Sequence, residues 1–286
     1  MDKAARLLFR QRTADLALRT VALTSVVAIA CLVLGMLAAW AVTRTDLPGR
    51  SFFAIALTAP LAIPSYVSGY VWIAEFPALA GFAGAALVLT MSCFPLVMLP
   101  VAAAFASADP GRAEVSRTLG RSALRTALTV EARHVVPSAA AGALLVSLYT
   151  ISDFGAVALM RYDAFTLGIY SAYRGGLDRT AASVLGAVLV LMALVLTLAE
   201  RRARRGATAR VGSGAPRSAE PVMLGRWTLP ALAAIAVLFA MAVAVPLLGL
   251  VRWLVRSLRF TIEWAAGRGA TPAPRRWPRR CGAIAR

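Results

Sequence analysis

Long runs of apolar residues dominate the chain, and several are long enough to decide which elements they form. They lie between Arg19 and Arg44, between Arg50 and Glu75, and over 77–108, 137–160, 180–199 and 227–251. About 20 apolar residues cross a hydrocarbon core as a helix, whereas a membrane strand would alternate apolar and polar residues. The pattern predicts an all-α polytopic membrane protein with about six transmembrane helices, the third of uncertain start because Pro77–Gly84 also fits a loop.

The composition excludes an ordinary soluble domain. Hydrophobic residues make up 59% of the chain and charged residues only 15%, whereas a soluble domain is nearer half apolar and a quarter charged. The net charge of +18 comes from 31 basic and 13 acidic residues, and basic residues cluster at the ends of apolar runs, notably after Glu200. Such clusters mark the cytoplasmic side and bind anionic headgroups, so we expect membrane lipid, and no nucleic acid, as a partner.

The basic stretch after Glu200 orients the helices in the membrane. With that stretch inside, segment 161–179 faces outward, and Arg44–Arg50 and Asp109–Pro137 lie in the cytoplasm. The N-terminal flank 1–19 must then face outward, although it is basic. The rule is statistical, so two explanations stay open: the chain tolerates this arrangement, or the natural protein has an earlier span.

The charged insert Asp109–Pro137 separates two apolar runs that a short turn could have joined. Asp109 suits a helix N-cap, Pro110 suits the first helical position, and Gly120 interrupts the run. The insert therefore predicts two short amphipathic helices joined at a glycine elbow. Such a segment fits a knob that docks in a partner's groove or a segment that lies on lipid headgroups, and the pattern leaves both open.

Within this insert, Glu114 to Gly120 read Glu-x-x-x-x-x-Gly. This pattern, in a cytoplasmic loop between spans, resembles the EAA motif of the permease subunits of binding-protein-dependent ABC importers. The Leu-Pro ending of that motif is replaced here by Ala132–Arg133. In such permeases the loop forms a coupling helix that docks on the ATPase. The resemblance therefore implies coupling roles for Glu114, Val115, Ser116, Leu119, Gly120 and Pro137.

Other stretches are similar to the ferric-iron branch of these permeases, namely 44–50, 60–72, 142–148 and 152–173. The resemblance covers about 18–205 and implies a MetI-like permease core. Members of this branch are commonly fused tandem repeats with two coupling loops, and this sequence holds one such loop. We therefore expect one half of a fused permease, truncated or frame-shifted near Trp264.

Composition and resemblance together divide the chain into regions. After Trp264 the sequence is rich in Pro, Gly and Arg without an apolar period, which is typical of disorder. The expected regions are an N-terminal flank 1–19, a permease core 20–205 with the coupling loop 109–137, a cytoplasmic linker 206–226, an extra transmembrane helix 227–256 that would open a second half, and a basic, disordered tail 257–286.

Three residues within the apolar runs are candidates for the translocation path. An ionisable group at membrane depth is costly and usually faces a cavity or a partner. Asp153 therefore fits a polar contact on the path, and it equally fits a helix-end cap. Pro60 and Pro64 remove helix hydrogen bonds within the second run, which fits a bent pore-lining helix or a simple packing irregularity.

Metal and catalytic chemistry find little support in the sequence. Hard oxygen ligands of the kind that suits ferric iron gather near the outer end, namely Tyr149, Tyr162, Asp163, Tyr170 and Tyr173. Tyrosines are, however, also common in interfacial belts. Because the external binding protein holds the metal in the family, we expect no tight metal site. His134 is the single histidine and Lys3 the single lysine, so the Gly-Lys loop of an ATPase is absent. We expect no catalytic residues and no cofactor.

The resemblance implies a permease subunit in the bacterial inner membrane that moves ferric iron from an external binding protein to the cytoplasm. Its expected partners are cytoplasmic ABC ATPase subunits, an extracytoplasmic substrate-binding protein, and a second permease half or a second copy. Because the coupling motif is shared, thiamine, sulfate, phosphonate and polyamine remain alternative substrates. A membrane scaffold or a non-functional truncated fragment is the alternative outside transport.

Overall fold

The computed structural model describes residues 11–107, 132–176, 179–204 and 222–265, and most of them are helical. The helices, numbered in chain order, are α1 Gln11–Arg44, α2 Arg50–Ala56, α3 Ser65–Glu75, α4 Phe82–Cys93, α5 Pro95–Ala106, α6 Ala132–Ser152, α7 Gly155–Leu159, α8 Phe165–Gly176, α9 Arg179–Arg204, α10 Thr228–Phe239 and α11 Val245–Ala265. Short 3-10 turns lie at Ala59–Ala62, Pro77–Leu79 and Gly225–Trp227, and a π-helical turn at Ala240–Ala244. The all-α expectation is confirmed.

The number of membrane-crossing helices agrees with the apolar pattern. Among the described residues, five helical stretches are long and apolar enough to cross a membrane, and a bent pair makes six if it counts as one span. The five are Gln11–Arg44, Phe82–Ala106, Val135–Ser152, Ala182–Ala199 and Gly225–Arg259. The expectation of a multi-pass membrane protein with about six such helices is therefore confirmed.

The second apolar run differs from the single helix that its composition suggests. Arg50–Ala62 and Ser65–Glu75 meet at 93°, a far sharper turn than a proline kink in a continuous helix. Ile63 is extended, with φ −98° and ψ 114°, because the ring of Pro64 disfavours helical geometry in the residue before it. This run is a broken segment with two arms.

Two other runs begin or end at different residues from those that hydropathy indicates. The third run starts its helix at Phe82, after a 3-10 turn at Pro77–Leu79, so its first residues are indeed not part of the span. The fourth run forms α6 from Ala132, which places Pro137 inside the helix, and it ends at Ser152. The one charged residue of that run, Asp153, therefore lies beyond the helix rather than within it.

The chain divides into two compact units, 1–246 and 247–286. In the first unit, α1, α5 and α6 pack on one another, and side chains such as Val27, Val97 and Val146 are fully buried. A Cβ atom at Gly142 would lie 2.6 Å from the Cα of Val97 and 2.7 Å from the Leu96 carbonyl oxygen. Glycine at this position therefore lets α6 and α5 approach closely, which is the usual device of helix packing in membranes.

Of the second unit, the structure describes residues 247–265, all in α11. Residues 257–265, which the sequence assigns to a disordered tail, are helical. Apolar residues at helical spacing, such as Val251, Val255 and Leu258, continue the pattern of the helix past the last uncharged run, and Thr261 Oγ1 donates a 2.9 Å hydrogen bond to the Ser257 carbonyl. The remainder of the expected tail lies outside the described residues.

Candidate translocation and coupling site

The expected coupling loop is described only where it joins its flanking helices. Five of its predicted residues fall outside the described residues: Glu114, Val115, Ser116, Leu119 and Gly120. Pro137, the sixth, is half-buried in the second turn of α6. The described chain therefore fixes the two attachment points of the loop, Ala106 at the end of α5 and Ala132 at the start of α6.

Both attachment points rest on the buried bundle of α1, α5 and α6. On the α5 side, Val101 and Phe105 are buried, and on the α6 side Val135 and Ala139 are buried. Because these side chains belong to one hydrophobic core, a displacement of either end of the loop is resisted by the same packed helices. A force applied to the loop would thus reach the membrane-spanning helices directly.

Arg44, at the end of α1, also belongs to this attachment region, although the hydropathy pattern does not single it out. Its guanidinium carbon lies 5.6 Å from the centre of the Phe105 ring, within range of a cation–π contact. Arg44 is only 8% exposed, and its Nε atom has no hydrogen-bond partner among the described residues. An arginine at the end of an apolar run is typical of an interfacial anchor, so the sequence pattern alone does not predict this contact with Phe105.

The loop after α1 is bound to the chain segment that precedes α10. Val222 donates its N–H to the Arg44 carbonyl at 2.8 Å, and Thr45 pairs with Val222 in a parallel bridge. The Asp46 carboxylate accepts a 2.9 Å hydrogen bond from the backbone N–H of Leu224. The end of the predicted linker 206–226 is therefore held against the loop that follows the first span.

The two prolines of the broken segment occupy different places in its break. Pro60 is buried in the 3-10 turn Ala59–Ala62, and its carbonyl accepts the N–H of Ile63. Pro64 is exposed and stands immediately before α3, where its carbonyl accepts the N–H groups of Val67 and Ser68. Pro64 thus occupies the N-cap position of the second arm.

Asp153 lies at the meeting point of the broken segment and the C-terminal end of α6. Its Oδ1 accepts the backbone N–H of Ala156 at 2.9 Å, which caps the short helix α7. Its Oδ2 accepts the hydroxyl of Ser65, the first residue of α3, at 2.5 Å. Its backbone carbonyl accepts the hydroxyl of Thr166 in α8 at 2.9 Å. Asp153 therefore joins α3, α7 and α8, and the cap that the sequence allows is present.

The helices that Asp153 joins are also closely packed. A Cβ atom at Gly155 would lie 2.7 Å from the Tyr66 Cβ, so glycine is needed where α7 starts against α3. Val71, Ala156 and Val157 are completely buried beside this contact. The start of α3 is thus held by its close packing on α7 and by one carboxylate.

Two of the tyrosines expected near the outer end have identified partners in the protein. The Tyr162 hydroxyl donates to the Arg19 carbonyl at 3.0 Å, and burial raises the pKa of Tyr162, an effect that the nearby Arg19 charge opposes. The Tyr170 ring packs at a tilt against Phe154 and lies under the Arg174 guanidinium. No group of three or more His, Cys, Asp or Glu side chains in the described ranges could hold a metal ion.

Comparison with known proteins gives relatives of one kind. No family model matches the chain. The Fe(3+)-transport system permease protein FbpB 2 of Haemophilus influenzae is 31% identical over 258 residues, which is 89% of this chain and 51% of the relative. The probable sulfate transport system permease protein cysT of Prototheca wickerhamii is 25% identical over 197 residues, 62% of this chain and 77% of the relative. The chain thus spans about half the length of the Haemophilus relative.

The fold has a counterpart among solved structures. A chain of the inward-facing methionine ABC transporter MetNI superposes with a TM-score of 0.56 and 19% identity, covering 68% of this chain and 95% of that one. At this identity the likeness shows a shared fold. The chain is thus similar in sequence to transport-system permeases and shares the fold of this ABC transporter chain.

Proposed function

We propose that this chain is the transmembrane permease subunit of an ATP-driven importer that moves ferric iron from an external binding protein into the cytoplasm. The observation that carries the proposal is the 31% identity to an Fe(3+)-transport permease over 89% of this chain. The sulfate permease relative is less similar and aligns with a shorter part of the chain. Ferric iron is therefore the first candidate cargo and sulfate the second.

In the proposed mechanism, the segment between α5 and α6 acts as a lever that the ATPase subunits move. ATP closes a pair of cytoplasmic ATPase subunits, which displace the segment between α5 and α6. Both ends of that segment are rooted in the core of α1, α5 and α6, so its displacement tilts these helices between inward- and outward-facing states. Coupling requires that the ATPase contact the two states differently.

The proposal assigns roles to residues in two regions. We place the ATPase contact on Glu114, Val115, Ser116, Leu119 and Gly120, with Pro137 at the root of the lever. We place Pro60, Pro64 and Asp153 along the translocation path. A second permease half or a second copy of this chain would complete the path, and the binding protein would deliver the cargo on the outer side of the bacterial inner membrane.

Uptake of radiolabelled cargo tests the substrate. Cells that express the intact gene should accumulate ferric iron faster than cells in which it is deleted, and unlabelled sulfate should not compete. Equal iron uptake in both strains would discard iron. A deletion-sensitive uptake of labelled sulfate would transfer the proposal to the second candidate.

Copurification tests the lever independently of cargo. The Gly120→Pro variant should lose the ATPase subunit that copurifies with the wild-type chain, because proline stiffens the elbow and removes a backbone donor. Gly120→Ala is the matched control and should keep the subunit. If the proline variant and the wild type retain the ATPase equally, the docking role of this segment is wrong.

A further inference from the structure

The carboxylate of Asp153 has two oxygens, and each already has a partner inside the protein. Oδ1 accepts the Ala156 N–H at 2.9 Å and Oδ2 accepts the Ser65 hydroxyl at 2.5 Å. Ser65 is only 6% exposed, so loss of its bond to the Asp153 carboxylate is costly even though the Tyr149 hydroxyl lies nearby.

The position of Ser65 explains how this bond can orient α3. Ser65 is the first residue of α3, directly after Pro64, and α3 meets the other arm of the broken segment at 93°. Asp153 stands between the end of α6 and the start of α7, and its carbonyl also binds Thr166 of α8. A single residue therefore fixes the second arm of the break to three consecutive helices.

We propose that Asp153 is a positioning residue: its carboxylate holds the arm α3 in place against α7 as an internal acceptor, and it does not contact the cargo. The inference rests on the proposed transport function, and it refines the role of one residue assigned there to the path. Without this bond, α3 keeps its packing against α4 and α7, but the start of the arm is no longer tied to the residue between α6 and α7, and the angle of the break is less well defined.

Asparagine separates the two possible roles of the carboxylate. In Asp153→Asn, the amide oxygen can still accept the Ala156 N–H and the amide nitrogen can donate to the Ser65 oxygen, so both bonds survive while the charge is lost. In Asp153→Ala both bonds are lost. Ser65→Ala removes one bond and leaves the Ala156 cap intact, which serves if the alanine variant of Asp153 fails to fold. Ser152→Ala is the neighbouring control, because the Ser152 hydroxyl bonds to carbonyls of its own helix.

Two measurements on the full chain in lipid decide the proposal. Spin labels on Ala74→Cys in α3 and Ser171→Cys in α8, both at exposed positions, report the distance between these helices by pulsed electron resonance. Asp153→Ala and Ser65→Ala should broaden that distance distribution, whereas Asp153→Asn and Ser152→Ala should leave it narrow. In uptake, the alanine variants should lower the maximal rate about tenfold with KM unchanged, and asparagine should restore it.

The contrary results are equally definite. A narrow distance distribution in both alanine variants would show that the bond does not position α3. Loss of uptake or a raised KM in Asp153→Asn, with the distance distribution intact, would show that the charge acts on the cargo. If wild-type cells take up neither iron nor sulfate, the proposed function fails, and the distance measurement still decides the role of Asp153.

Discussion

At the scale of single residues, the contacts that organise the ends of the helices join positions far apart in the sequence. Asp46 and Leu224 are 178 residues apart, yet the Asp46 carboxylate accepts the Leu224 N–H at 2.9 Å. Hydropathy carries no information about such a bond, because both residues lie outside the uncharged runs. The bond matters because it holds the start of the last described span to the loop that follows the first.

Replacement of Asp46 should release the segment before α10. In Asp46→Ala, the Leu224 N–H loses its acceptor, which costs about 0.5–1.5 kcal/mol. Arg226 is exposed two residues later, so limited trypsin should cut after Arg226 about two- to tenfold faster in purified protein. Asp46→Asn keeps an acceptor oxygen and is the control. An unchanged cutting rate in Asp46→Ala would mean that the bond does not restrain this segment.

At the scale of elements, the close crossing of α5 and α6 gives the sharpest stability prediction. In Gly142→Ala, the new methyl group would meet the backbone of Val97 at 2.6 Å, and the helices must separate. Overpacking of this kind costs about 1–3 kcal/mol, so the unfolding temperature in detergent should fall.

Gly186 in α9 provides the matched control for that substitution. A Cβ atom there meets nothing within 4 Å, so Gly186→Ala should be neutral or stabilise the protein by up to about 1 kcal/mol through helix propensity. Equal effects of the two substitutions would contradict the close contact between α5 and α6.

The elements also show how far the sequence alone could predict this fold. Helices over the apolar runs follow from length and composition, because a helix satisfies its own backbone within lipid and the runs lack the alternation of a membrane strand. The 93° break does not follow, because Pro60 and Pro64 announce an irregularity without its angle. That angle depends on the packing of Tyr66 on Gly155 and on the bond from Ser65 to Asp153. Ser65 and Asp153 are 88 residues apart in the sequence.

The sequence likewise predicts some residues of the candidate site but not the contacts between them. Asp153 attracts attention because it is the one charge in its apolar run, and its capping role follows from local sequence. Its bond to Ser65 does not, because nothing in the sequence pairs these two residues. Arg44 and Phe105 illustrate the same limit. Arg44 follows the first apolar run and Phe105 lies near the end of the third, and only the folded chain brings the guanidinium within 5.6 Å of the ring centre.

At the scale of the whole molecule, the orientation in the membrane is the assumption on which the proposed mechanism depends. The lever can meet a cytoplasmic ATPase only if the ends of α5 and α6 that flank it face inward. Loops at opposite ends of the spans must then lie on opposite sides. Pro48, in the loop after α1, is exposed, and so is Asp163, in the loop before α8.

Cysteine labelling of those two loops tests the orientation in intact cells. The native Cys31 and Cys93 are buried, so a Cys281→Ser background leaves little competing reactivity. A membrane-impermeant maleimide should label Asp163→Cys in intact cells, and Pro48→Cys only after the membrane is opened, because basic residues next to spans stay on the cytoplasmic side. Reversed labelling would place the segment between α5 and α6 outside the cell, where no ATP-driven subunit could reach it.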